Sequence, residues 1–378
     1  MRKLLVGLSL LTSAIGFTAT ASQPDWDTIT EKARGQTVYF NAWGGSQNIN
    51  AYLRWANDEL TKRYGVKLEH VKVADISETV NRLVAEKTAG RNTGGSVDMV
   101  WINGENFKSM KQAGLLYGPI TTVLPNWAIV NKDLPVEEDF TEPTDGLEAP
   151  WGVGQLVFIH DSETLANPPK NFQELLSLAK AHPGKITYPK PPAFHGTSFL
   201  KAALIELTKY PDRLYKPVVE SEFAETTAPL WQYLDELHAV AWRNGKQFPA
   251  NGNEMSQLLD DGELLLAVTF NPNSAKVKVA NGALPESART YAFERGALSN
   301  IHFMGIPWNA SSKEGALVAI NFLMGEEAQL RKADTNIWGD PMVIRSDKAS
   351  TEFYKSIPEP HPSWQVALEK AWTERYGH

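Results

Sequence analysis

Thr37-Val38-Tyr39-Phe40-Asn41-Ala42-Trp43-Gly44-Gly45-Ser46 is the stretch on which the fold turns. Strand-forming residues run into Trp43, two glycines and a serine follow, and Ile49, Tyr52, Leu53, Ala56, Leu60 and Tyr64 then recur at helical spacing. Strand, glycine turn and helix open an α/β unit and leave bare backbone N–H groups at the helix start. Glycine allows both the sharp turn and a close approach of main chain to a ligand. Taken alone, the turn serves equally well as a plain connection between packed elements.

The flanking sequence repeats the pattern. Gly65 stops the helix, Lys67–Val73 alternates as a strand, and Asp75 with Glu78 three residues on caps a helix whose apolar face is Ile76, Val80, Leu83 and Val84. The apolar strand Val97–Ile102 carries one carboxylate, Asp98, and ends in Asn103-Gly104-Glu105-Asn106; a helix then runs from Phe107 to a stop at Gly114. Three strand–helix repeats imply a parallel sheet with right-handed crossovers, which binds ligands beyond the carboxyl ends of its strands. Trp43–Ser46 and Asn103–Asn106 are two polar glycine turns on that one edge, which favours a binding role for both.

Residues 117–150 are rich in proline and lose periodicity, as a surface linker does. Trp151 to His160 reads as a long strand crossing into a second lobe. There, Asn171 caps a helix, Ile186–Tyr188 is a short strand, and Phe194-His195-Gly196-Thr197-Ser198 leads into a helix from Phe199 to Lys209. The amides near Gly196–Ser198 suit an anion or carbonyl, although a Thr-Ser pair more commonly caps its own helix. Helices follow at 222–244 and 253–261, then a strand from Leu264 to Phe270 ending in Asn271-Pro272-Asn273. A strand at 300–306, a helix capped by Ser311, the polar turn Trp338-Gly339-Asp340-Pro341 and a helix at 363–375 complete the chain.

A chain of 378 residues exceeds one ordinary core and fits two domains. Its net charge of −7 disfavours nucleic acid and anionic lipid as partners, and its 12 tryptophans suit flat contact with a ligand. Residues 1–21 read as a signal peptide: Arg2 and Lys3, an apolar run from Leu4 to Phe17, and cleavage after Ala21 in Ala19-Thr20-Ala21. The absence of cysteine excludes a lipid anchor, a disulfide framework and thiolate chemistry, and it suits an oxidising compartment such as the periplasm.

Reactive motifs are missing. The sequence has no Gly-x-Ser-x-Gly elbow, no P-loop and no His-Glu-x-x-His pair, and its 8 histidines are scattered. No catalytic residue, metal site or cofactor is assigned. A secreted hydrolase of carbohydrates or esters stays open as the alternative, since an acidic chain offers carboxylates, but nothing in the sequence selects a pair.

The stretches Asn41–Ser46, Val97–Asn106, Pro150–Gln155 and Asn300–Pro307 together resemble periplasmic solute-binding proteins of ABC importers. The likeness is to the group binding thiamine, spermidine/putrescine and ferric iron, and most to its YnjB-type components. The resemblance implies a type II two-lobe α/β fold, each lobe a mixed, mainly parallel sheet flanked by helices. Lobe one would comprise residues 22–118 and about 290–335, and lobe two about 119–289 and 336–378. It also implies a monomer that closes on a small molecule and delivers it to an inner-membrane permease. The expected ligand-binding residues are Trp43, Gly44, Gly45, Ser46, Asn103, Gly104, Glu105, Asn106 and Trp151. From the other lobe come Phe194, His195, Gly196, Thr197, Ser198, Asn271, Asn273, Trp338 and Asp340. Iron-binding relatives use neighbouring tyrosines, and this chain has no adjacent Tyr-Tyr pair. A cationic ligand would use the aromatic faces and carboxylates, and a phosphorylated one the helix starts. Thiamine and its phosphate esters use both and lead the list.

Overall fold

The computed structural model describes residues 25–349 and 353–377. The expected signal peptide, 1–21, lies outside the described residues. Three apolar clusters organise the described residues: a first and a second main core, one for each lobe, and a smaller cluster that includes Val80, Leu83, Val100, Ile102, Phe107 and Met110.

The first core forms around β1 (Thr37–Trp43), β2 (Lys67–Val73) and β3 (Met99–Ile102), with β2 and β3 both parallel to β1. α1 (Trp26–Ala33) precedes β1, the crossovers are α2 (Gln47–Tyr64) and α3 (Ser77–Thr88), and α4 (Gly104–Gln112) follows β3. Gly65 closes α2 at φ +67°, the left-handed cap predicted for it. Asp98, the one charge in an apolar strand, is buried and structural. Its Oδ1 accepts the Ser311 and Ser312 N–H groups at 2.8 Å each, and its Oδ2 accepts the Tyr39 N–H at 3.0 Å. One carboxylate thus fixes the segment that leads into a helix at Lys313–Met324, whose apolar residues complete this core.

Trp151–His160 is not one strand. It divides at Leu156 into β4 (Glu148–Gln155), in the first sheet, and β5 (Val157–Asp161), in the second. The second sheet adds β6 (Ala267–Thr269) and β7 (Ala288–Tyr291), each antiparallel to β5. The chain re-enters the first sheet through β8 (Ala297–Gly305), antiparallel to both β3 and β4. The last strand, β9 (Ser356–Pro358), lies parallel to the start of β8. Around the second core stand α5 (Phe172–Ala181), α6 (Phe194–Leu207), a helix at Glu220–His238 and the final helix at Pro362–Tyr376.

The boundaries differ from the expected ones in places. Ile186–Tyr188 is buried but joins no strand. The helix expected at 222–244 runs from Glu220 to His238, with Ala239 as its C-cap; Ala241 is already extended, and Arg243 and Asn244 beyond it adopt left-handed backbone angles. Ile120 to Val153 and Trp338 to Ile344 pack in the first core, although the expected division gave much of 119–153 and all of 336–344 to lobe two. The reason is apolar burial: Trp151 and Trp338 stack edge-on at 5.1 Å between ring centres and so draw both segments to one side.

Candidate functional site

The cleft lies where β4 and β8 cross between the lobes. Gly152 and Gly154 are small because the space above them is taken. A Cβ at Gly152 would stand 1.9 Å from Asp340 Oδ2, and one at Gly154 would stand 3.0 Å from the Phe270 ring.

The lobes touch across this cleft. Asn253 Nδ2 donates to the Gly45 carbonyl at 3.1 Å, and Asn281 Nδ2 donates to Asn48 Oδ1 at 3.4 Å. Asn271 and Asn273 donate to the carbonyls of Trp338 and Gly339 at 3.0 and 2.8 Å. The polar turns predicted from sequence thus stand at the lobe boundary, and part of their capacity is spent on each other.

Trp43 is half-buried at the end of β1 and covers Gly45, where a Cβ would lie 2.3 Å from its ring. Gly44 sits against Lys72, and its carbonyl accepts from Asn50 at 3.0 Å. Ser46 caps α2 in an ordinary way, its hydroxyl accepting from the Ile49 N–H. Phe194 and His195 gather with Phe270, at 4.8 and 5.8 Å between ring centres. Burial and the nearby Lys278 charge push the His195 imidazole down to about 4, so it is neutral at pH 7. Gly196 lets α6 (Phe194–Leu207) approach the Pro189 carbonyl, which a Cβ would meet at 2.2 Å.

Two expected residues lie behind the cleft floor. Trp151 is fully buried in the first core, packed by Phe40, Trp101, Trp338 and His302. Asp340 is buried and held by Lys332 and by His302 at 3.1 Å. Burial alone would raise its carboxyl, but the His302 and Lys332 charges outweigh it and hold the group below the ordinary range. Trp338 is nearly covered by the same aromatic cluster.

The charged centre of the cleft forms around a lysine that the sequence reading missed. Lys201 projects from the apolar run of α6 and is 1% exposed. Its ammonium lies 2.7 Å from Glu359 and 3.2 Å from the Gln365 carbonyl, and 4.6 Å above the Phe140 ring. Asn300 of β8 donates to the other Glu359 oxygen at 2.9 Å. Lys201 is therefore committed to its own lobe. Glu105, in the first turn of α4, faces it from the other lobe; burial pushes the Glu105 carboxyl up to about 7, Lys201 offsets part of this, and Glu369 and Asp75 add to it. Glu369 also lies above its ordinary range through burial, although the Thr197 hydroxyl donates to it at 2.8 Å.

Behind Glu105, the Gly104 N–H donates to Asp139 Oδ2 at 2.7 Å. Gly104 has φ +60° and lies against the Phe140 ring, so no larger residue fits. Asn103 has an extended backbone and makes no side-chain cap, while Asn106 donates to Glu105 at 2.8 Å. The Ser198 hydroxyl is buried. The structure therefore joins Asn103–Asn106 to Thr197 through carboxylates and Lys201, and joins Phe194–His195 to the Asn271 turn. The signal for Lys201 was a single charge inside the apolar run Phe199–Ile205; Glu359, between two prolines, gave none.

A family model described as bacterial extracellular solute-binding protein matches residues 55–355. Protein YnjB of Escherichia coli (strain K12) is 46% identical over 373 residues, covering 96% of each chain. The putrescine-binding periplasmic protein SpuD of Pseudomonas aeruginosa (strain UCBPP-PA14) is 24% identical over 342 residues, covering 84% of this chain and 87% of its own. Among solved structures, the periplasmic binding protein AfuA of Actinobacillus pleuropneumoniae superposes with a TM-score of 0.65 at 14% identity, covering 90% of this chain and 99% of its own. Among the described residues no helix is long and apolar enough to cross a membrane. The chain belongs to the bacterial extracellular solute-binding protein family, with the two-lobe type II fold, and serves as the substrate-binding component of an ABC importer, taking a small molecule to its permease.

Proposed function

We propose that the solute is a small organic cation, of the polyamine or thiamine kind, held between Glu105 and Glu369 and against the rings of Trp43, Phe194 and Phe270. The supporting observation is a charge imbalance: Lys201 pairs directly with Glu359 and only partly offsets the desolvation of Glu105 and Glu369, whose carboxyls both stay raised. A bound ammonium or thiazolium supplies the missing charge, and partly buried aromatic faces favour it. Helix starts, the alternative for a phosphate, already face carboxylates: Asp139 occupies the first amide of α4, and Glu369 bonds Thr197 in the first turn of α6. The relative named for putrescine binding points the same way.

In this reading the protein is exported with cleavage after Ala21. It acts as a monomer and releases its solute unchanged, without catalysis, cofactor, metal or nucleic acid. Thermal melting of the mature protein against putrescine, spermidine, thiamine, 2-aminoethylphosphonate, fructose 6-phosphate and ferric citrate tests it, since a ligand of the folded state raises the melting temperature. A rise with one of the three cations, lost in Glu105→Gln, is expected. A rise confined to the phosphorylated compounds or iron contradicts it, and hydrolysis of an ester or glycoside panel would favour the hydrolase alternative.

A further inference from the structure

The chain crosses between the lobes three times: at Gln155–Leu156, at the start of β8 near Ser299, and on the return from Phe353, packed on the first core, to Ile357, packed on the second. One side chain, at the first crossing, bonds to both of the others. Gln155, fully buried at the end of β4, donates from Nε2 to Ser299 Oγ at 2.9 Å, to the Tyr354 carbonyl at 3.0 Å and to Ser356 Oγ at 3.3 Å. Its Oε1 accepts the Tyr354 N–H at 3.0 Å. The Tyr354 backbone thus exchanges two bonds with the Gln155 amide, as it would with a neighbouring strand. Ser299 spends its own hydrogen on the Ala297 carbonyl at 2.8 Å, so its oxygen is free to accept from Gln155.

We propose that Gln155 is the pin of the hinge, a positioning residue that makes the three crossings bend as one unit and so sets the angle at which the lobes meet the solute. Lobe closure concentrates its backbone rotation in a few residues at element ends. Gln155 stands at such an end, immediately before the break between β4 and β5, with Gly152 and Gly154 on one side and Leu156 on the other. A buried amide serving one core would find its partners within that core. The side-chain partners of Gln155 lie instead on the other two crossings. Without the amide, each crossing bends about its own axis and the interlobe angle is no longer defined.

The absence of cysteine makes the test direct. Ala51→Cys and Ala283→Cys, both exposed and close in sequence to Asn48 and Asn281, which bond across the lobe boundary, carry nitroxide labels, and electron resonance reads the distance distribution between them. In Gln155→Met the distribution is expected to broaden and shift to longer distances at a temperature where near-ultraviolet dichroism remains native. If Gln155→Met does not fold, the Ser299→Ala/Ser356→Ala pair keeps the Tyr354 bonds and removes the other two, and a smaller broadening is expected. A folded variant that melts earlier but keeps the wild-type distribution would make Gln155 a packing residue only and overturn the proposal.

Discussion

Lys201 and Glu359 form an ion pair at 2.7 Å with side chains only 1% and 2% exposed. Burying two charges costs several kcal/mol for each ion, and the pair persists through its additional hydrogen bonds from Asn300 and to Gln365. Removing one partner leaves the other charged and unmatched. Lys201→Met is therefore expected to lower stability by about 3–5 kcal/mol in urea denaturation. Lys201→Met/Glu359→Gln should recover much of that loss. Equal losses in both would mean that the pair is not the unit that matters.

Glu105 gives a signed pH dependence. Its folded carboxyl is raised from an ordinary 4.5 to about 7, so the folded state binds the extra proton between these values. The stability contributed by the neutral form is present at low pH and is lost as pH rises through that window. Glu105→Gln should flatten the fall in melting temperature between about pH 4.5 and 7. Cation affinity runs the other way, rising as Glu105 loses its proton, and calorimetry with putrescine from pH 5.5 to 8 follows it.

Trp43 has two duties. Its half-buried ring packs on the first core and over Gly45. Trp43→Ala should cost about 2–3 kcal/mol of stability through lost burial and about tenfold in solute affinity, the equivalent of about 1.4 kcal/mol. Trp43→Phe should restore most of both. A full stability loss with unchanged affinity would place Trp43 in the core alone.

Gly152 leaves the buried ion network its space. A methyl there meets Asp340 Oδ2 at 1.9 Å and His302 Nε2 at 2.2 Å, both fixed by Lys332 and the surrounding rings. Gly152→Ala should destabilise by about 1–3 kcal/mol, whereas Gly262→Ala, at an open surface position with φ +70°, costs through backbone strain alone. Urea melts of the two variants separate the mechanisms.

The sequence carried the first lobe well because its signals are local. Strand, turn and helix repeat within about 80 residues; Ser46 caps α2 at its start and Gly65 ends it as read, whereas Ile76, not Asp75 as read, stands at the N-cap of α3, without a side-chain bond. Boundaries set by distant packing were not legible. The break at Leu156 depends on which core each half of the strand joins, and Trp151 reads as a ligand face until Trp338 arrives from far along the chain to bury it. The centre of the site was hidden for the same reason. Lys201 lies more than a hundred residues before Glu359 and Glu369, and meets them only when the last crossing folds back.

Native mass spectrometry of protein released gently from the periplasm tests the central claim most directly. The account predicts a fraction shifted by the mass of a small organic cation, which is identified on its release and is absent from Glu105→Gln/Glu369→Gln prepared in the same way. A co-purifying phosphate ester or other anion, retained by that double variant, would contradict it.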